Sequence, residues 1–116
     1  MRRVVLIGLS LACAACAHRA SYAPKALVPS AHAAVRDEVR GYAKTYCGTC
    51  HQSSLPTAKP AALAIYNLDR DDWATMLTDE RLLNGFPRRL NAQLDEAGRS
   101  QLRAFIEAEL ALRNAP

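Results

Sequence analysis

The sequence has few of the residues that build β-sheets. Among 116 residues there are two Phe, one Trp and four Tyr, and β-branched residues are scarce, whereas alanine and leucine are plentiful. Aromatic and β-branched residues are enriched in strands, while Ala and Leu are strong helix formers. No segment shows the alternating pattern of a strand, and no internal repeat is present. We therefore expect an all-α fold and exclude a β-sandwich or barrel.

Long apolar runs and a strong charge imbalance are missing as well. The longest apolar run covers nine residues, 4–12, whereas a membrane-spanning helix needs about 20. The net charge is +4, and Arg2 and Arg3 contribute two of those charges in a segment that we expect to be removed. The remaining charge is too small to indicate nucleic-acid binding. The length and the 22% of charged residues fit one folded domain.

The N-terminal segment has the pattern of an export signal. A basic start, Met1-Arg2-Arg3, precedes the short apolar run, and the small residues of 13–17 follow it. These three features in this order are typical of a bacterial secretory signal. We assign residues 1–17 to the signal, 18–29 to a flexible tether containing Pro24 and Pro29, and 30–116 to the folded domain.

Two interpretations of the signal's end stay open. Ala15-Cys16-Ala17 has the small-x-small form of a cleavage site before His18. Alternatively, Ala14-Ala15-Cys16 resembles the lipobox of bacterial lipoproteins, in which Cys16 becomes the lipidated first residue and anchors the chain to a membrane. Two cysteines beside an apolar run favour the lipoprotein interpretation.

The domain shows helical patterning interrupted by turns. Apolar side chains recur at helical spacing in the first and last segments, and Ser30, Thr78 and Asp95 are suitable N-caps. Gly85 and Pro87 are expected to end the Thr78-capped segment. The predicted elements are a helix over 31–46, a loop over 47–59, helical turns over 60–66, at Trp73–Leu77 and after Thr78, and a last helix from Asp95 to Arg113.

The motif that carries chemistry is Cys47-Gly48-Thr49-Cys50-His51. CxxCH is the attachment sequence of c-type haem. Two thiols with this spacing reach the two vinyl groups on one porphyrin edge, and the following histidine then lies over the iron as the proximal ligand. We therefore predict one covalent haem on Cys47 and Cys50, with His51 on the iron.

Other uses of the two cysteines have less support in the sequence. A structural zinc site needs four ligands, and no second CxxC or HxxxH is present. A CxxC redox pair belongs with a βαβ pattern, for which no strand is predicted. A disulfide between Cys47 and Cys50 would close too small a loop to stabilise the fold much.

With this motif the chain resembles the small monohaem class I cytochromes c. In that family an N-terminal helix leads into CxxCH, and a C-terminal helix crosses it at a contact between glycine and an aromatic residue. Gly41 and Tyr42 precede the motif here, and Phe105 lies on the last helix. The resemblance covers residues 30–113 and implies a cytochrome c-like helical domain around the haem.

The resemblance also implies a methionine as the second axial ligand. Met76 is the one methionine after Met1, 25 residues beyond His51, so it is the candidate distal ligand. The gap is shorter than is usual in the family, and no proline follows Met76, so core packing of Met76 and an open sixth position are alternatives. His32 is predicted to be solvated, and Lys59 would ligate only if deprotonated.

Four further residues have two interpretations each. Tyr66 and Trp73 have polar groups that suit hydrogen bonds to haem propionates, or they are rim residues of the core. Arg88 and Arg89 form a small basic pair that suits a propionate, an acidic redox partner or plain solvation.

The function expected from these features is single-electron transfer by a periplasmic c-type cytochrome. The chain would exchange electrons with redox partner proteins and would not itself be an enzyme, although it could serve as a subunit of an oxidoreductase. The alternatives are a five-coordinate haem protein that binds small gases or reacts with peroxide, and a zinc or dithiol module.

Overall fold

The computed structural model describes residues 29–116. The export signal predicted at 1–17, and all of the tether predicted at 18–29 except Pro29, lie outside these residues. The described chain contains α-helices and shorter helical turns and no strand, so the all-α prediction is confirmed. The elements are α1 (Pro29–His51), α2 (Pro60–Leu63), a 3₁₀ turn (Trp73–Met76), a π turn (Arg81–Gly85), α3 (Phe86–Asn91) and α4 (Glu96–Arg113). None of the helices of 29–116 has the length and apolar character needed to cross a bilayer.

Helix α1 is longer than the sequence predicted. It was expected to cover 31–46 with Ser30 as N-cap, but it begins at Pro29 and continues to His51. The prediction of a loop at 47–51 is therefore wrong. The helix continues through these residues because the carbonyl oxygens of its last four residues accept hydrogen bonds from residues beyond the helix. The pairs are Gly48 O with Gln52 N, Thr49 O with Thr57 Oγ1, Cys50 O with Lys59 N, and His51 O with Leu68 N, at 2.7–3.1 Å.

Helix α4 agrees with the prediction in its start, its end and its buried face. The side chain of Asp95 accepts a hydrogen bond of 2.8 Å from the backbone N–H of Gly98, as expected of an N-cap. Leu102 and Phe105 are fully buried. Gly98 is buried too, and a Cβ on it would lie 3.1 Å from Leu94 Cβ, so its close contact is with the segment preceding α4.

The middle of the chain differs from the prediction at two points. The helix at Pro60 ends at Leu63 rather than at residue 66. Thr78 accepts a hydrogen bond from Arg81 N as predicted, but Gly85 and Pro87 do not end the segment, which continues helically to Asn91. Pro87 has no N–H and crowds the carbonyl four residues earlier, and the widened π turn before it accommodates the proline within a continuous helical path.

Helix α1 packs on α4, so the predicted packing of the N-terminal helix on the C-terminal helix is confirmed, and residues 66–94 complete the core. Val39 and Ala43 of α1 are fully buried in the same cluster as Phe105. The rings of Trp73 and Phe105 stack, with centroids 5.4 Å apart. Gly41 does not take part in the helix contact, because it is exposed and a Cβ there would meet nothing within 4 Å.

A buried carboxylate joins the start of α1 to the end of α4. Glu109 is 1% exposed and accepts hydrogen bonds from Arg36 Nε at 2.7 Å and His32 Nε2 at 2.9 Å. The prediction that His32 is solvated is therefore wrong. A buried carboxylate has to be paired, and one turn of α1 supplies both donors because residues 32 and 36 lie on the same helix face.

Candidate functional site

The three reactive side chains of the CxxCH motif lie on one face of α1. Cys47, Cys50 and His51 occupy positions i, i+3 and i+4, which are neighbours on a helix surface. All three line one cavity of about 990 Å³, and neither thiol is in a disulfide. The unpredicted extension of α1 through residue 51 is what brings them together.

The wall of this cavity is mostly apolar. The cavity lies between the last turns of α1, the segment from Lys59 to Tyr66, Leu77, and the π turn with the start of α3. Its volume is at the upper end of the range of about 300–1,000 Å³ for sites that bind cofactors and small molecules. The apolar side chains that line it are Ala61, Ala62, Ile65, Leu77 and Phe86.

His51 is oriented by the backbone and by a ring. Its Nδ1 lies 3.0 Å from the carbonyl oxygen of Tyr66, and a carbonyl can only accept, so Nδ1 carries the proton. The Nε2 lone pair is therefore free to bind a metal ion, and such a contact to Nδ1 is the usual support of a metal-binding histidine. The imidazole also stacks on the Tyr66 ring, with centroids 3.7 Å apart and planes within 3°.

Tyr66 belongs to the cavity wall and to the core at once. It is 7% exposed, and burial, with the neighbouring Cys47 thiol as a second cause, raises the pKa of its hydroxyl well above the usual value. The hydroxyl therefore stays protonated and can donate a hydrogen bond in the cavity. The ring is buried beside His51 rather than at the rim of the core, and the hydrogen bond to a haem propionate stays a prediction.

Three cationic side chains line the cavity, and no carboxylate does. They are Lys59, Arg81 and Arg89, and none of them forms an ion pair within residues 29–116. The predicted pair Arg88 and Arg89 separates: both side chains are exposed, but Arg89 lines the cavity and Arg88 does not. Sequence reasoning missed Arg81, although its distance of eight residues from Arg89 is about two helical turns.

Met76 and Trp73 lie away from the cavity. Met76 is partly buried against the core, and it is not among the residues that line the cavity, although the next residue, Leu77, is. Trp73 is fully buried, so it is not a rim residue, and its Nε1 has no hydrogen-bond partner among the described residues. The structure thus gathers Cys47, Cys50 and His51 but does not bring Met76 to them.

The arrangement gives little support to the rival chemistries. Although Cys47, Cys50 and His51 share one cavity, neither they nor any other three His, Cys, Asp or Glu side chains of residues 29–116 are arranged so that they could together hold one metal ion, as a zinc site requires. Both thiols lie in the last turn of α1, whereas redox-active cysteine pairs use the positive end at a helix N-terminus to favour the thiolate.

No protein-family model, curated protein or solved structure matches this chain. The resemblance to the class I cytochromes c therefore stays a prediction from the CxxCH motif.

Proposed function

We propose that the protein is a c-type cytochrome that carries one covalent haem on Cys47 and Cys50 and transfers single electrons. The observation that carries this proposal is that both thiols and the His51 imidazole line one cavity large enough for a cofactor. When bound, haem supplies an iron that alternates between two oxidation states one electron apart. His51 is the axial ligand in this proposal.

The lining of the cavity suits a haem in three respects. Its apolar wall fits the porphyrin faces, its volume fits a large cofactor, and its cationic side chains suit the two propionate groups. Lys59, Arg81 and Arg89 have no carboxylate partner among residues 29–116, so their charges are available to a bound anion.

The two thiols provide the attachment. In each reaction the cysteine sulfur bonds to one carbon of a vinyl C=C bond and the thiol hydrogen is delivered to the other, so that no other atoms are gained or lost. Because Cys47 and Cys50 lie on the same face of α1, both sulfurs can reach one edge of the porphyrin. Neither thiol is held in a disulfide.

His51 provides an electron-donating ligand of fixed orientation. Its Nδ1–H donates to the Tyr66 carbonyl, which leaves Nε2 for the iron and increases the basicity of the ring. The stacked Tyr66 ring restricts rotation of the imidazole. A ligand that is held in this way moves little when the iron changes charge, which favours fast electron transfer.

A second candidate function is favoured by the position of Met76. A five-coordinate haem would bind a small gas or react with peroxide. Met76 packs against the core and does not line the cavity, so a Met76–iron bond requires the turn at Trp73–Met76 to rearrange. The two candidates differ in what occupies the sixth iron position.

The proposal includes export and redox partners. The basic and apolar N-terminal segment directs the chain to the periplasm, either as a soluble protein or anchored through a lipid on Cys16. Redox proteins are the expected partners. The chain is a carrier rather than an enzyme, and it could form part of a larger oxidoreductase.

The test is the mass of the polypeptide after export with the cytochrome maturation machinery. The purified protein is denatured and extracted with acidic acetone, and haem that remains on the polypeptide supports the proposal. Cys47→Ala and Cys50→Ala should each retain one thioether at most, while Thr49→Ala, a control within the motif, should retain both. A wild-type polypeptide without haem would overturn the proposal in favour of the zinc or dithiol alternative.

A further inference from the structure

One arginine of α4 holds the turn that carries Met76. The guanidinium of Arg113 donates to the carbonyl oxygens of Leu77 at 2.7 Å and Ala74 at 2.8 Å, and to the Asp79 carboxylate at 2.8 Å. These three acceptors lie on both sides of Met76 in the sequence. A guanidinium presents several donors in one rigid plane, so it is suited to fix several acceptors at once.

Arg113 differs in this respect from another arginine of the same helix. The Arg113 side chain is 21% exposed, whereas that of Arg103 is 66% exposed and has one contact of 3.4 Å with the exposed Glu96. The interactions of Arg113 with two backbone carbonyls bridge the end of α4 and a segment 36 to 39 residues earlier in the chain. They are a tertiary connection, while the contact of Arg103 stays within α4.

The same bonds bear on where the Met76 side chain lies. Leu77 belongs to the buried core cluster and also lines the cavity, whereas Met76 is partly buried against that cluster and does not line the cavity. A rotation of the backbone between Ala74 and Leu77 that turned Met76 towards the cavity would redirect the two carbonyls that Arg113 holds. The Arg113 contacts therefore oppose such a rotation.

We propose that Arg113 is a positioning residue that holds the Trp73–Met76 turn against α4 and thereby keeps Met76 off the iron. The inference rests on the proposed haem site at Cys47, Cys50 and His51. With the Arg113 contacts intact, the sixth iron position is open to a small neutral ligand such as carbon monoxide. With the contacts broken, Met76 becomes available as a second ligand of the iron. The inference therefore favours the second candidate function, a five-coordinate haem, for the unaltered protein.

Absorption spectra of the haem-bearing protein test this proposal. Wild type should be high spin when reduced, should bind carbon monoxide rapidly, and should lack the weak far-red sulfur-to-iron band when oxidised. Arg113→Ala should gain that band and bind carbon monoxide several-fold more slowly. The double variant Arg113→Ala/Met76→Ala should lose the gained band, and Arg113→Lys should fall between Arg113→Ala and wild type.

Arg103→Ala is the matched control, since it removes an arginine from the same helix without touching the turn. Its spectra should equal those of wild type. In haem-free protein, amide hydrogen exchange at Thr75 and Leu77 should be faster in Arg113→Ala than in either wild type or Arg103→Ala. This readout does not depend on haem and reports the Arg113 contacts directly.

Three results would overturn the inference. The far-red band in wild type, lost in Met76→Ala, would mean that Met76 ligates while Arg113 is in place. Arg113→Ala without the band, but with faster exchange in the turn, would mean that Arg113 does not control ligation. If Arg113→Ala does not accumulate, Asp79→Asn takes its place, because it loosens the same contacts. Asp79→Asn should show a smaller gain of the far-red band, and the absence of any gain would count equally against the inference. The mass test separates these results from a failure of the haem proposal, because each presupposes haem on the polypeptide.

Discussion

The turn that ends α1 and the turn at Trp73–Met76 each carry a side chain able to bind haem iron, and they relate to the cavity differently. At the end of α1, partners from later in the chain hold the carbonyls, and the helix register directs His51 into the cavity. At the second turn, Arg113 holds the carbonyls and Met76 packs against the core. The two turns thus differ both in the partners of their carbonyls and in whether the candidate ligand lines the cavity.

The largest expected effect comes from replacing each of the two candidate ligands, His51 and Met76, with alanine. His51→Ala should lose most of its attached haem, because the side chain that binds the iron from the attachment turn is gone. Met76→Ala should keep its haem, because the turn at 73–76 makes no contact needed for attachment. The haem-to-protein ratio from mass spectrometry and absorbance checks both variants. Equal loss of haem in the two would contradict the difference between the turns.

A substitution of Glu109 tests the connection between α1 and α4, the two helices to which both turns are bonded. Glu109 connects α1, which carries His51, to α4, which carries Arg113, and it is 1% exposed. Glu109→Ala should lower the free energy of unfolding by about 2–3 kcal/mol, because Arg36 and His32 lose their buried acceptor. Denaturant titration checks this value, and the exposed Glu107→Ala on the same helix should change it by about 0.5 kcal/mol or less.

Trp73→Phe tests how much the buried indole of Trp73, in the turn that carries Met76, contributes to the free energy of unfolding. The buried Nε1 of Trp73 has no partner among the described residues, and an unsatisfied buried donor costs about 1–3 kcal/mol. Its removal should offset much of the lost packing, so we expect a net change of about 1 kcal/mol or less in the unfolding free energy of haem-free protein. A loss above about 2 kcal/mol would indicate that Nε1 donates to an acceptor in the folded protein.

Asp69 gives the smallest effect and concerns the His51 turn. The Asp69 carboxylate accepts hydrogen bonds from the backbone N–H of Ser54 and from the side chains of Gln52 and Ser53. These hydrogen bonds, the one from Ser54 above all, lower the pKa of Asp69 to about 2. A carboxyl with a lowered pKa stabilises the fold above its unfolded pKa of about 3.8 and loses that contribution as the pH falls towards 2. The difference in Tm between wild type and Asp69→Asn should therefore be constant near neutral pH and shrink between about pH 4 and 2.

Asp71→Asn is the control for that experiment, because it removes an exposed carboxylate from the same segment. A difference in Tm for Asp69→Asn that does not shrink on acidification would mean that Asp69 acts through packing or through its amide replacement rather than through its charge.

The sequence was sufficient for the helices whose signals are local. Asp95 caps α4 with its own side chain, and the apolar spacing of Leu102 and Phe105 marks the buried face, so both could be predicted. The end of α1 could not, because the partners of its last carbonyls include residues as distant as Leu68. A local pattern of glycine and polar residues suggested a loop where tertiary hydrogen bonds continue the helix.

The candidate site could likewise be predicted only in part. The CxxCH spacing marked Cys47, Cys50 and His51 as candidate haem residues and, once the helix is known, their common face follows from geometry. The turn that carries Met76 is bonded to Arg113, 37 residues later, which no nearby pattern indicates. His32 looked solvated because its acceptor, Glu109, lies at the other end of the chain.

The distant partners of the α1 carbonyls also bear on the order of events during the proposed export of the chain. A chain that emerges N-terminus first presents the thiols of Cys47 and Cys50 before Lys59 and Leu68, which complete the last turn, have followed. Until then the motif lacks the hydrogen bonds that continue the helix through it, and it is accessible as an extended peptide. We expect an attachment enzyme to act on this early form. Once residues 57–68 have packed against the end of α1, the motif is no longer accessible for haem attachment.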